Sequence, residues 1–199
     1  PFQIVCSNEI HIVNLQSKWN LISVPFNQSV PNDDIIVRYD GVDYSWENAT
    51  TGNNPTGGSI VLRYIYYWNT SIPQHYDLSD VFEPGYGYWM YAYHDCELWS
   101  EDFGSTINDG YITDILTTWN LMGVPNDVPL PKEDLIVQYN GVDYSWENAT
   151  TNNNPTGGPL IIRYIYYWNT ITPQHYDLSD VFEPGYGYWM YAYQDCTLK

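Results

Sequence analysis

Positive charge is scarce in this chain. Six Lys plus Arg stand against 24 Asp plus Glu over 199 residues, a formal net charge of −18 at pH 7. That shortage argues against nucleic acid or an anionic membrane surface as partner, because both are gripped through basic patches. It leaves a solvated, self-repelling surface, or one that meets divalent cations. No apolar run approaches the roughly 18 residues of a membrane-spanning helix, so membrane insertion is not expected. Cysteine is equally sparse: Cys6, Cys96 and Cys196, with no Cys-x-x-Cys pair to suggest thiol redox chemistry or zinc. Three cysteines allow at most one disulfide within the chain. All three pairings stay open, and Cys96 with Cys196 is the least favoured because equivalent ends of tandem domains usually lie far apart. A buried, unpaired thiol is the alternative for each. EF-hand, phosphate-loop and nucleophile-elbow motifs are missing. The first residue is Pro1 and no basic, signal-like segment precedes it, so the expectation is a processed or excised piece of an exported protein.

What the chain does have, it has twice. Residues 19–98 and 119–198 are identical at 59 of 80 positions, and Pro73–Tyr93 returns unchanged as Pro173–Tyr193. Such a duplication predicts two modules, 1–98 and 99–199. Each has a repeat core (19–98, 119–198) preceded by a lead-in of similar length (1–18, 99–118). An enzyme needs one site, so near-copies point first to a non-enzymatic role whose value lies in number: adhesion, avidity or assembly.

Within one copy, turn residues punctuate short β-branched and aromatic runs. Trp19–Pro25 and Ile35–Tyr39 read as strands, Ser45–Ala49 as one helical turn, and Asn53–Gly58 as loop. Residues Ser59–Asn69 read as a long strand. It has Tyr64, Tyr66 and Trp68 on one face and Ile65 and Tyr67 on the other, so it should be covered on both sides. Asp77–Gly85 reads as a short capped helical turn, and Tyr86–Leu98 as one closing strand. The expected fold is mostly β: two tandem, near-identical small β-sandwich or barrel-like domains with minor short helices.

Four sets of side chains are candidates for function. Three sequons, one of them duplicated, make Asn27, Asn48, Asn69 and Asn148 candidate glycosylation sites. Asp77, Asp80 and Glu83, with Asp177, Asp180 and Glu183, would share one side of a helical turn. There they could hold calcium, act as an acid–base pair on a glycoside, or simply cap the turn. No other cofactor is expected. His75 and His175 read as structural, and His94 becomes Gln194 in the second copy, so no shared function can depend on it. Tyr66, Trp68, Tyr166 and Trp168 are candidates for stacking on surface glycans, with a place in the core as the alternative.

The pattern Trp-Asn-Leu-x-x-Val-Pro near the start of each copy, with Pro-Gly-Tyr-Gly-Tyr-Trp near its end, resembles repeat modules of exported prokaryotic, especially archaeal, cell-surface and S-layer-associated proteins. The resemblance spans both copies. It implies a β-rich extracellular module, often in tandem within sheath or adhesin-like proteins, and it implies no catalytic residues. Taken together, these readings predict an extracellular structural subunit that assembles with itself into a filament, sheath or S-layer-type lattice. Its joints would use strand addition by residues 1–18, the last strand around Cys196–Lys199, and a disulfide from Cys6. A tandem carbohydrate-binding or adhesin module is the second expectation.

Overall fold

The computed structural model describes residues 9–101 and 113–199, with Glu9 and Glu101 as backbone only. The chain is mostly β, and its halves repeat the same two-layer plan. In the first half one sheet has the order β1 (Glu9–Leu15), β10 (Cys96–Glu101), β4 (Ile35–Tyr39), β5 (Val42–Ser45). The other runs β2 (Lys18–Ile22), β9 (Tyr88–Ala92), β6 (Ile65–Asn69), β7 (His75–Ser79). A two-stranded ribbon joins β3 (Val30–Pro31) to β8 (Val81–Phe82), and every pairing is antiparallel. Inward residues of the layers form the core: Val13 and Leu15 from β1, Val37 from β4, Ile65 from β6, Met90 and Ala92 from β9, and Leu98 from β10. Alternation of these apolar positions with exposed ones is the period-two pattern of a half-covered sheet.

The second half follows with β11 (Thr113–Ile115), β20 (Cys196–Leu198), β14 (Ile136–Tyr139) and β15 (Val142–Ser145) in one sheet. Its other sheet holds β12 (Thr118–Met122), β19 (Tyr188–Ala192), β16 (Ile165–Asn169) and β17 (His175–Ser179). The ribbon of β13 (Leu130–Pro131) and β18 (Val181–Phe182) completes it. The repeated Trp-Asn-Leu has a local cause. Asn20, buried, donates its amide to the carbonyls of Gln16 and Lys18 (2.8 and 3.0 Å) and accepts the Gln16 N–H at 3.0 Å. Asn120 repeats this with Leu116 and Thr118. Those bonds hold Lys18 and Thr118 at φ 89° and 118°, a region costly for residues with a Cβ.

Several expectations need correction. Asp77–Gly85 is no helical turn: it forms β7 and β8, because β6 offers a full pairing partner in register (Tyr67 opposite Asp77, Trp68 opposite Tyr76). Tyr86–Leu98 is two strands in different layers, broken at residues 93–95. Only Ile65–Asn69 of the expected long strand is regular; upstream of it Val61 makes a lone bridge to Ala92. β10 continues through Glu101, so Trp99–Glu101 belong to the first sheet rather than to a linker. The helical turn at Ser45 is real. Ser45 Oγ accepts the Asn48 N–H at 3.3 Å to start α1 (Trp46–Thr51), and Gly52 ends it at φ 79°. Its counterpart is α2 (Trp146–Ala149). Lead-in and linker do occupy equivalent places, β1 beside β10 and β11 beside β20. β1 pairs with β10 within its own chain, and β20 lies between β11 and β14.

Candidate aromatic binding site

The outer faces of the two Trp-Asn-Leu sheets meet. Residue spacing of two along β2, β6, β7 and β9 puts Trp19, Leu21, Tyr66, Trp68, Tyr76 and Trp89 on one face, opposite one another in the strand register. The same face of the second half carries Trp119, Leu121, Tyr166, Trp168, Tyr176 and Trp189. Leu21, Leu121 and Trp189 form a buried cluster between the halves, with Trp68, Trp89, Tyr166 and Trp168 packed on it.

Backbone bonds lock this joint, and they are reciprocal. Gly187 N–H donates to Leu21 O (3.0 Å) and Gly87 N–H to Leu121 O (3.1 Å). Ser23 N–H donates to Gly185 O (2.9 Å) and Gly123 N–H to Gly85 O (3.1 Å). The Trp68 indole donates to Trp119 O and the Trp168 indole to Trp19 O, both at 3.0 Å. Each half thus does to the other what the other does to it, an isologous contact within one chain. Side chains have little room here: a Cβ on Gly187 would lie 2.8 Å from Ile22 O, closer than real Cβ atoms come, and one on Gly87 3.0 Å from Met122 O.

Two grooves open along the joint. One, of about 550 Å³, is lined by Trp19, Tyr66, Tyr76 and Trp89 of the first half with Trp168 and Tyr176 of the second. The other, of about 560 Å³, is lined by Trp68 and Tyr76 with Trp119, Tyr166, Tyr176 and Trp189. Their walls are rings set near right angles: Trp68 to Trp189 at 5.3 Å and 76°, Trp89 to Trp168 at 5.1 Å and 80°. Edge-to-face packing of this kind holds rings rigid while leaving some faces toward solvent. Tyr76 and Tyr176 line both grooves and are nearly half exposed. Partial burial raises their phenol pKa values, so at neutral pH each keeps its O–H. Neither groove is lined by Lys or Arg.

All four expected stacking residues, Tyr66, Trp68, Tyr166 and Trp168, therefore sit in these grooves. The sequence reading missed Trp19, Tyr76, Trp89 and their counterparts, although spacing of two along their strands would have placed them on the same face. It also gave no sign that each groove would draw rings from both halves.

The other candidates are scattered. Among the described residues no group of three or more His, Cys, Asp or Glu is arranged to hold a metal ion. Asp77 instead accepts from the Asn69 amide (2.8 Å) and meets the His75 ring (3.1 Å), which together hold its carboxyl below the usual value. Asp177 does the same with Asn169 and His175. Glu83 accepts from the Ser29 hydroxyl, and Asp180 pairs with Lys132. With strands in place of the helical turn, Asp77, Asp80 and Glu83 do not share one side of a turn, nor do Asp177, Asp180 and Glu183, and neither set forms a metal-holding group. Cys96 and Cys196 are free, buried thiols, each pushed up to about 12 by burial; Cys6 lies outside the described residues. Of the sequon asparagines, Asn27 is exposed and Asn48 and Asn148 are partly exposed within α1 and α2. Asn69 has its amide nitrogen engaged by Asp77.

Comparison with protein-family models, with curated proteins and with solved structures gave no match to this chain.

Proposed function

We propose that the protein is a non-enzymatic, extracellular glycan-binding unit that takes neutral saccharides in its two aromatic grooves. One observation carries the reading. The rings suited to stacking on sugar faces are gathered from both halves into two equivalent, open concavities outside the two module cores. The apolar C–H faces of a pyranose match exposed Trp and Tyr faces, and phenol O–H groups supply hydrogen bonds at the rims. With no cation in the lining and −18 overall, acidic saccharides would meet repulsion without a partner.

Tryptophan fluorescence titration with neutral hexose and uronic-acid oligosaccharides tests this. The expected result is a saturable shift with a neutral oligosaccharide that is weakened about tenfold or more by Tyr76→Ala, a partly exposed position shared by both grooves. No shift with any neutral member of the panel overturns it.

Self-assembly keeps one favouring observation. β7 and β17 are the outer strands of their sheets and carry Leu78 and Leu178 at 57% and 56% exposure. A sheath or filament would be joined through these edges. Electron microscopy of the purified protein at neutral pH decides that reading: ordered fibres or sheets support it, and dispersed particles sink it.

A further inference from the structure

We propose that Ser23 and Gly123 act as an orientation key: they make each half of the chain fit the other half and reject a second copy of itself. The tryptophans and glycines of the joint cannot make that distinction. Leu21, Trp68, Trp89, Gly85 and Gly87 recur as Leu121, Trp168, Trp189, Gly185 and Gly187, so these groups are the same on both halves. Like modules from two chains would find these groups equally satisfied. Where equivalent positions meet at the centre, however, the repeat departs from itself. Ser23 faces Gly123, and a Cβ on Gly123 would lie 2.0 Å from Ser23 Cβ and 2.4 Å from its Oγ.

That closeness has two consequences. Two first modules would bring Ser against Ser, with the Cβ atoms overlapping and backbone-bonded strands on both sides leaving no room to part. Two second modules would bring Gly against Gly and give up the hydroxyl contact. Ser23, fully buried, donates its Oγ–H to Tyr186 O at 2.8 Å in addition to its backbone bond to Gly185. Only the unlike pair fills the space and satisfies the donor. Two other differences lie close by: the Ile22 and Met122 side chains turn into the separate module cores, and Thr118, which stands where the first half has Lys18, adds a bond from its Oγ1 to Gln74 Oε1 at 3.0 Å. Pairing is therefore restricted to unlike halves, within one chain or reciprocally between two chains, as negative design against self-pairing requires.

The test uses the full chain in four forms: parental, Gly123→Ser, Ser23→Gly, and the double exchange Ser23→Gly with Gly123→Ser. Thermal unfolding and sedimentation are measured on each. Gly123 is outside the left-handed region and its counterpart is already Ser, so serine suits that local backbone and any damage comes from the joint. Gly123→Ser is expected to lower the midpoint by roughly 5 °C or more, Ser23→Gly by less, and the exchange to recover most of the first loss, because the two-fold relation lets the residues trade roles. If Gly123→Ser is too unstable to purify, a folded double exchange supports the key and an equally unfolded one overturns it. Parental stability in Gly123→Ser, or a double exchange no better than that single variant, also overturns it.

Discussion

The first module closes its core with Phe26, fully buried beside Val24 and Val30. The second has Asn126 at that position, with Val124 and Leu130 only partly buried, and an open cavity of about 500 Å³ runs past all three. The first also sets the Arg38 guanidinium 4.2 Å over the Trp99 ring while pairing it with Asp43 at 2.6 and 2.9 Å. The second offers Asp143 a Gln138 amide at 2.8 Å and the Lys199 ammonium at 2.9 Å. Yet the strand order and the joint are the same in both halves. The fold is therefore held by what the modules share, Trp46 and Trp146, Ile65 and Ile165, Met90 and Met190, while the region around position 26 sets how much stability each module has to spare.

Removing the difference should have the largest effect. Phe26→Ala is expected to cost about 3–5 kcal/mol, the range for truncating a buried phenylalanine, and calorimetry should then show the first module melting no later than the second. Asn126→Phe, which puts the first module's residue beside the cavity, should instead raise the second module's transition.

An intermediate effect should be common to both modules. The Asp77 and Asp177 carboxyls are held below the usual carboxylate range in the folded protein, through Asn69 or Asn169 first and His75 or His175 after. A depressed carboxyl stabilises the fold above its unfolded pKa, and that stability is lost as pH falls through the folded value. Chemical denaturation should therefore show stability holding at pH 5 and 6 and declining below about pH 4, with Asp77→Asn together with Asp177→Asn flattening the decline. The smallest effect concerns helix ends. Gly52 closes α1 in the left-handed region and α1 runs six residues, whereas α2, with Asn152 there, runs four. Asn152→Gly should lengthen α2 and stabilise the second module by a few tenths of a kcal/mol, readable as a small rise in its midpoint.

Much of a single module was legible in its residues. β-branched runs between turn signals located β2 and β4, Ser45 announced α1, and matching lead-in lengths anticipated that β1 and β11 would be equivalent. Asp77–Gly85 was misread because its capping pattern is local, while its pairing with β6 depends on residues ten positions upstream that no local rule weighs. The strand at Tyr86–Leu98 was misread because nothing in its aromatic run says where the chain changes layers. The grooves lay further out of reach. Periodicity can put Trp68 and Tyr76 on one face, but which surface that face meets is set by the two-fold contact of one half with the other.

The joint concentrates tryptophan to an unusual degree. Of the nine in the chain, Trp19, Trp68, Trp89, Trp119, Trp168 and Trp189 border it, and Trp46, Trp99 and Trp146 lie within the modules. Indoles held about 5–6 Å apart at fixed, steep angles couple their electronic transitions. The near-ultraviolet circular dichroism of this protein should accordingly carry a contribution from the two pairs that span the joint, Trp68 with Trp189 and Trp89 with Trp168, and separating the halves would erase that contribution while leaving the pairs within each half and each sheet's amide bands in place. The molecule carries its own unlabelled optical gauge of whether its two copies are in contact.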